Sequence, residues 1–199
     1  SDENTYKLAG MNTPSTAART RALVSIGEKL WKNANAPTAQ NFTDARAEYA
    51  VAEGIGSRVQ RRQDIHYPEI PENTTTKCTD AAIAAMYPDR CVGPQRLLPI
   101  LNDAFQAGQA GMNPRVNAAR IEAALLWFFH ISIMSEHWTC SFSNIADCDS
   151  AWAYYTADSQ RGQPLGLAQY VNELSPETHN RVFDGLLAAR CWRDIDKAL

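Results

Sequence analysis

The chain has 199 residues, 45% apolar and 21% charged, a composition typical of globular proteins and not of disordered chains. Its formal net charge of −3 supplies no strong basic field that would attract nucleic acid or an anionic membrane. The length favours one domain over residues 1–199, and no Gly-rich or Ser-rich linker divides it.

The spacing of apolar residues predicts helices almost throughout the chain. Thr13 followed by Pro14 is a cap-and-proline start, which predicts a first helix over residues 14–31. A second helix is predicted to begin within residues 38–43 and to continue through Glu53. Residues 66–77 hold two prolines and no periodicity, so we expect a long loop there, the best candidate boundary within the domain.

The middle of the chain carries the longest predicted helix, over residues 114–138. A short helix at 79–86 and another that Pro94 opens come before it. Residues 123–134 are apolar nearly all round, which predicts that this helix is central to the fold. No apolar run reaches the roughly 18 residues that a membrane span needs, so no transmembrane segment is predicted.

Three cap or proline signals mark the last third of the chain. Asp149 is predicted to cap one helix, Pro164 to open a brief one, and Ser175 with Pro176 to start the last. Alternating strand patterns are nearly missing. The sequence therefore predicts an all-α fold, an irregular bundle of five to eight helices with a long central apolar helix and disulfide-stapled loops.

The five cysteines fall into two close pairs and one single residue. Cys78 and Cys91 enclose a short helical run, and Cys140 and Cys148 enclose a polar loop, so disulfides would staple two helix connections. Free core thiols or metal thiolates are the alternatives, although no CxxC occurs. Disulfides predict an oxidising, extracytoplasmic location: periplasmic, secreted or surface-anchored. Cys191 is left over, as a small buried apolar residue on the last helix.

One stretch of the longest helix carries candidate metal ligands. His130, Met134 and His137 stand at i, i+4 and i+7, so they share a helical face, and imidazole and thioether bind metals and haem iron. Glu122 lies eight residues before His130 and would extend the same face as part of a longer groove. The alternative is that the spacing is simply the period of core residues, with Glu122 solvated or ion-paired.

Three further groups of residues carry candidate side chains. Tyr49 and Glu53, at i and i+4, offer the phenolate and carboxylate oxygens that suit Fe(III), or form a plain surface pair. His179 follows the cap of the last helix, where a charged ring is disfavoured, which predicts either a neutral ring that accepts a hydrogen bond or an exposed one. Trp152, Tyr154 and Tyr155 form an aromatic cluster that fits a packed core with phenols at its edge.

The segment Trp152-Ala153-Tyr154-Tyr155-Thr156, with the acidic residue before it and the polar loop and helix after it, resembles extracytoplasmic helical iron-uptake proteins. These are the imelysin-like group and the algal phytotransferrin-type proteins. The resemblance covers roughly residues 149–191, and the GxHxxE motif of imelysins is not present. It implies a secreted or periplasmic helical protein that handles iron, with Tyr154 and Tyr155 as the ligands carried over.

The motifs that identify common enzymes are missing: GxxxxGK[ST], GxGxxG, HExxH and GxSxG do not occur. We therefore predict an extracytoplasmic binding protein for a metal such as iron, for haem or for a small ligand. A structural or protein-interaction module without a cofactor is the alternative. An enzyme with a site assembled from scattered residues ranks last.

Overall fold

The computed structural model describes residues 5–8, 14–71, 77–142 and 144–196. Within this part of the chain there are nine α-helices, one π-helical turn and no strand, which confirms the all-α prediction. The helices are α1 (Pro14–Leu30), α2 (Ala39–Tyr49), α3 (Ile55–Val59), α4 (Ala81–Met86), the π-helical turn (Gly93–Leu97), α5 (Leu98–Gln109), α6 (Pro114–Phe142), α7 (Ile145–Thr156), α8 (Leu167–Leu174) and α9 (Pro176–Asp196). The predicted cap Thr13 lies outside the described residues.

Two helix ends differ from the sequence prediction. The second helix ends at Tyr49 instead of continuing through Glu53, whose φ of 55° lies in the left-handed region that a right-handed helix cannot contain. The long helix α6 continues to Phe142, beyond the predicted end near Trp138, so the first cysteine of the second pair is still helical. Tertiary contacts override local propensity at such ends, which sequence patterns place poorly.

The prediction that Asp149 caps a helix is wrong. α7 begins at Ile145, and its cap is Asn144, whose side chain accepts a hydrogen bond from the backbone N–H of Ala146 at 3.1 Å. Asp149 instead lies inside α7 with a fully buried side chain. The Ser175 cap, in contrast, is confirmed, because its hydroxyl accepts from the N–H of Thr178 at 3.2 Å.

The described chain divides into two compact units. Residues up to Arg21 and from Ser132 onward form unit 1, and residues from Ala22 to Ile131 form unit 2. The division falls within α1 and α6 and not at residues 66–77, where the sequence offered its best candidate boundary.

Unit 1 is built around α7, which packs on α8 and α9. Every residue from Ala151 to Ala157 is buried, and the core of the unit adds Phe183 and Leu186 of α9. Gly166 precedes α8 with φ +61°, and a Cβ there would lie 2.3 Å from Thr20 Cγ2, so the turn requires glycine. Burial of these aromatic and aliphatic side chains supplies the main stabilisation of unit 1.

Unit 2 is held by the packing of α2 on α5 and by the π-helical turn, which contacts α3, α4 and α5. Phe42 of α2 and Phe105 of α5 are buried, and the Tyr49 and Phe105 rings lie 5.5 Å apart. α6 adds Phe128 and Phe129, in an edge-to-face contact at 5.3 Å. The residues around α4 form a small cluster of their own, with Cys78, Ala84 and Cys91 buried.

Both predicted disulfides are confirmed. Cys78–Cys91 staples the turn around α4 in unit 2, and Cys140–Cys148 joins the end of α6 to α7 in unit 1. Cys191 is a free thiol and is half-buried, so the leftover cysteine lies at the edge of the core.

By length and composition alone, α6 could cross a membrane, a test that buried core helices also meet. In the apolar window of α6, 44% of the residues are buried inside the protein. The helix is therefore weak evidence for a span, and the absence of a transmembrane segment stays a prediction.

Candidate functional site

A cleft of about 360 Å³ lies in unit 2, where the end of α2 meets the turn after it, α3 and α5. Its polar lining consists of Arg46, Tyr49, Ser57, Gln60 and Asn102, and apolar atoms come from Val51 and Leu98 among others. We call this the Tyr49 cleft. A volume of this size lies at the lower end of the range of small-molecule sites.

The local sequence explains why the chain opens a cleft here. α2 ends at Tyr49, and the turn that follows closes through a hydrogen bond from the N–H of Gly54 to the carbonyl of Val51 at 2.8 Å. The chain then begins α3, and Gly56 packs against Tyr49 so closely that a Cβ would lie 3.1 Å from ring atom Cε1. The glycine therefore sets the phenol end of Tyr49 against a wall of the cleft.

The Tyr49 hydroxyl is a buried polar group that the surrounding protein leaves unsatisfied. The residue is 6% exposed, and its oxygen has no hydrogen-bond partner among the described residues. A buried donor without a partner weakens the fold, because it has given up its hydrogen bonds to water. Burial raises the pKa of Tyr49 well above its usual range, so the hydroxyl keeps its proton and is a donor near neutral pH.

The charge of the Tyr49 cleft is positive. The guanidinium of Arg46 opposes the effect of burial on the Tyr49 pKa, which shows that its charge acts on the phenol. Arg46 is held in place by a hydrogen bond from Nη1 to Gln109 Oε1 at 3.0 Å. None of the residues that line the cleft is acidic. Donors and a positive charge without a carboxylate favour a ligand with acceptor oxygens.

Tyr49 and Glu53 do not form the predicted pair along one helix, because α2 ends at Tyr49. Glu53 is exposed and forms ion pairs with Arg58 at 3.8 Å and Arg61 at 3.4 Å. These two arginines therefore form ion pairs with Glu53. Of the pair, only Tyr49 lines the cleft.

The other predicted metal ligands on α6 divide between the two units. Glu122 and His130 belong to unit 2, and Met134 and His137 belong to unit 1. His130 is exposed, and the other three are half-buried. Within the described ranges, no group of three or more His, Cys, Asp and Glu side chains is placed to hold a metal ion. A metal site on this helix stays a prediction.

The two predicted tyrosine ligands lie deep in unit 1 and use their hydroxyls inside the protein. Tyr154 is 1% exposed, and its hydroxyl accepts a long hydrogen bond of 3.5 Å from Arg19. Tyr155 is 2% exposed, and its hydroxyl lies 3.0 Å from His179 Nδ1. Either phenol would have to give up these contacts to bind iron.

His179 is buried, and its partners determine which ring nitrogen carries the proton. Nε2 lies 3.1 Å from the carbonyl oxygen of Arg161, which only accepts, so Nε2 carries hydrogen. In the neutral ring, Nδ1 then accepts from the Tyr155 hydroxyl. The burial of His179 rules out the exposed alternative, and Nδ1 lies where it can accept a hydrogen bond. The Tyr155–His179–Arg161 chain is a structural contact between α7, the 157–166 connection and α9.

No family model, curated protein or solved structure matches this chain. The resemblance to helical iron-uptake proteins therefore stays a prediction. No sequence pattern predicted the Tyr49 cleft. The sequence marked Tyr49 only as half of a pair, and the two glycines after it were the sole signal of a turn that could open a pocket.

Proposed function

We propose that this protein is an extracytoplasmic binding protein that holds a small organic ligand in the Tyr49 cleft. One observation carries the proposal: the buried Tyr49 hydroxyl has no hydrogen-bond partner among the described residues, and the phenol lines a cleft. Proteins rarely leave a buried donor unpaired. A bound ligand that accepts from Tyr49 would recover the lost hydrogen bond.

The lining of the cleft defines the ligand class. Tyr49 and Arg46 both donate, so the ligand carries a carboxylate or a similar anionic acceptor. Val51 and Leu98 offer apolar contact, which suits a small ring or short chain on the same ligand. Because the hydroxyl is enclosed, binding requires the floor of the cleft to relax slightly around Tyr49.

The extracytoplasmic location is supported by the two disulfides, one in each unit. Disulfides form and persist in oxidising compartments and are rare in the reducing cytosol. A ligand-binding protein outside the cytoplasm is consistent with the lack of the common catalytic motifs in the sequence.

Benzoate tests the site, because it combines one carboxylate with a flat apolar ring. We expect benzoate to raise the Tm of the protein in a saturable way and benzamide, its uncharged analogue, to raise it less. Tyr49→Phe and Arg46→Gln should each weaken benzoate binding about tenfold or more, through loss of a donor to a charged group. Arg61→Gln, whose side chain pairs with Glu53 outside the cleft, is the matched control.

An unchanged Tm with benzoate would contradict the ligand class. Equal weakening by Arg61→Gln and Arg46→Gln would show that the effect is one of general surface charge. Either result would remove the support for the Tyr49 cleft as the site.

Iron or haem is the second ligand class of this proposal, and it rests on the residue pattern of α6. The helix carries His130, Met134 and His137 at i, i+4 and i+7. Metal analysis of protein purified without added metal, together with its visible absorption, tests for both. His130→Ala and His137→Ala should each abolish metal binding with little loss of fold. If both variants bind metal as the wild type does, these residues are not the ligands.

A structural or protein-interaction module is favoured by one surface in unit 1. Trp138 and Phe142 are 55% and 68% exposed near the end of α6, with their rings 4.8 Å apart. Paired exposed aromatics are typical of contact surfaces. This function predicts concentration-dependent association in sedimentation, which Trp138→Ala should reduce. A monomer at all concentrations would argue against self-association through this pair.

A further inference from the structure

Among residues 5–8, the described part of the chain before α1, one residue is buried in unit 1. Tyr6 is 3% exposed, whereas its neighbours Thr5, Lys7 and Leu8 are exposed. Residues 5–8 have no regular secondary structure. Tyr6 therefore acts as the anchor of an otherwise solvent-facing segment, an arrangement that differs from core residues held within a helix.

The side chain of Tyr6 meets two partners on α7. Its ring stacks on Trp152 with centroids 4.5 Å apart and planes 4° apart. Its hydroxyl donates to Asp149 Oδ1 at 3.1 Å, and Asp149 is fully buried. Arg190 of α9 approaches the same carboxylate, with Nε 3.8 Å from Oδ1. The stack on Trp152 therefore recognises an aromatic ring, and the buried carboxylate of Asp149 recognises a hydroxyl that donates a hydrogen bond.

The side chain of Gln160 forms hydrogen bonds with the backbone of Tyr6. Gln160 Oε1 accepts from the N–H of Tyr6 at 2.9 Å, and Gln160 Nε2 donates to the Tyr6 carbonyl at 3.2 Å. A primary amide can satisfy the donor and the acceptor of one peptide residue in this way. The same residue is thus recognised by its ring, its hydroxyl and both its peptide groups. We call Trp152, Asp149 and Gln160 the tyrosine seat.

We propose that the tyrosine seat is a binding site for a tyrosine on an extended peptide segment, that Tyr6 fills it reversibly, and that the same segment of a second copy can take its place. The contacts of the tyrosine seat fit a tyrosine, and the segment before α1 supplies one in Tyr6. All four contacts are to side chains of unit 1, so a segment arriving from another molecule can make them equally well.

The competition between the two occupants follows from effective concentration. A segment tethered by a short linker is present at its own site at about millimolar effective concentration. In dilute protein, Tyr6 of the same chain therefore occupies the tyrosine seat in most molecules. A segment in trans gains access when the anchor in cis is removed or when the competitor is present in large excess.

The test uses the full chain with Tyr6→Ala and a free hexapeptide of sequence Ser-Asp-Glu-Asn-Thr-Tyr, amidated at its C-terminus. The peptide stands in for the segment of the second copy. We expect saturable 1:1 binding by titration calorimetry, and binding to the wild-type chain at least about tenfold weaker because Tyr6 competes in cis. The peptide with Phe in place of Tyr should bind Tyr6→Ala about tenfold or more weakly, since it cannot donate to Asp149.

Gln160→Ala combined with Tyr6→Ala supplies the second control, and it should also weaken peptide binding. Failure of the peptide to bind a Tyr6→Ala chain with unchanged circular dichroism would overturn the proposal. Equal binding of the Tyr and Phe peptides would overturn it as well, because Asp149 would then not read the hydroxyl.

The wild-type chain provides a test that does not depend on the folding of Tyr6→Ala. Trypsin cleaves after lysine, and Lys7 follows the anchor directly. Excess hexapeptide, which contains no lysine or arginine, should displace the segment and speed cleavage after Lys7 several-fold. The Phe peptide should do so less. A cleavage rate that excess peptide leaves unchanged would refute reversible occupation of the tyrosine seat.

Discussion

Each unit contains a buried tyrosine, and the two hydroxyl groups differ in whether they have a hydrogen-bond partner. In unit 1, the hydroxyl of Tyr155 is paired with His179, whose other ring nitrogen donates to a backbone carbonyl. In unit 2, the hydroxyl of Tyr49 has no partner among the described residues and its ring lines a cleft. A satisfied buried polar group stabilises a fold, whereas an unsatisfied one weakens the fold and is available to a ligand. The Tyr155–His179 pair is therefore expected to stabilise unit 1, and the Tyr49 hydroxyl of unit 2 to be available to a ligand.

The largest expected effect comes from the buried carboxylate of unit 1. Asp149→Ala should lower the free energy of unfolding by about 3–5 kcal/mol, because Arg190 and the Tyr6 hydroxyl lose their shared buried partner. Urea denaturation followed by circular dichroism measures the loss. Asp147→Ala, at a half-buried position in the first turn of the same helix, is the control and should cost much less. A loss below about 1 kcal/mol for Asp149→Ala would show that unit 1 does not depend on this contact.

Each unit contains one disulfide, so the cost of removing a disulfide can be compared between the units. Replacing both cysteines of Cys78–Cys91 by alanine should cost about 3 kcal/mol, from the entropy that the unfolded chain regains. The same change at Cys140–Cys148 should cost a few tenths of a kcal/mol less, because its loop is shorter, with a separation of 8 residues against 13. Denaturation midpoints of the two double variants test the order. A much larger loss for the shorter loop would mean that native contacts, and not chain entropy, set the cost.

Alkaline pH should destabilise the protein. Burial raises the pKa of Tyr155 to about 12, so the folded state holds this proton more tightly than the unfolded chain, in which the pKa is about 10. The stabilisation is fully present below pH 10 and is lost as the pH rises through 12, by about 2–3 kcal/mol for this group. Burial also raises the pKa values of Tyr6 and Tyr49, which adds to the loss. Tyr155→Phe should flatten part of this pH dependence in denaturation curves, and an unchanged slope would count against the assignment.

Removing the hydroxyl in unit 1 should cost stability at neutral pH. Tyr155→Phe leaves the buried Nδ1 of His179 without its donor, for a loss of about 1–3 kcal/mol in the free energy of unfolding. His179→Phe in the same background should then cost little more for this contact, since the hydrogen bond is already gone. Simple additivity of the two losses would show that the pair is not coupled.

The smallest expected effect is the same substitution in unit 2. Tyr49→Phe should leave the free energy of unfolding within about 0.5 kcal/mol of the wild type, or raise it slightly, because no described residue pairs with the lost hydroxyl. The thermal unfolding midpoint without ligand is the measurement. A loss as large as that of Tyr155→Phe would mean that the Tyr49 hydroxyl has a structural partner, and the contrast between the units would fail.

Most helices of this fold could be predicted because their signals are local. Ser175 and Pro176 mark the start of α9, the apolar run marks α6, and the alanine-rich segment near Cys78 marks α4. The end of α2 at Tyr49 and the start of α7 at Ile145 could not be predicted, because neither position carries a strong local signal. The Tyr49 cleft could not be predicted, because it is assembled from α2, α3 and α5. The ligands that the sequence places on α6 stay a prediction.

The sequence by itself determined the helical class and both disulfides, since apolar period, caps and cysteine spacing act over a few residues. Only the tertiary structure decided which buried polar groups have partners. The hydroxyl of Tyr155 meets a residue 24 positions away, and the backbone of Tyr6 meets one 154 positions away. No local pattern can mark such partners, because they meet only after the helices have packed. That packing also leaves the Tyr49 hydroxyl without a partner in the described part of the chain and gives unit 2 its cleft.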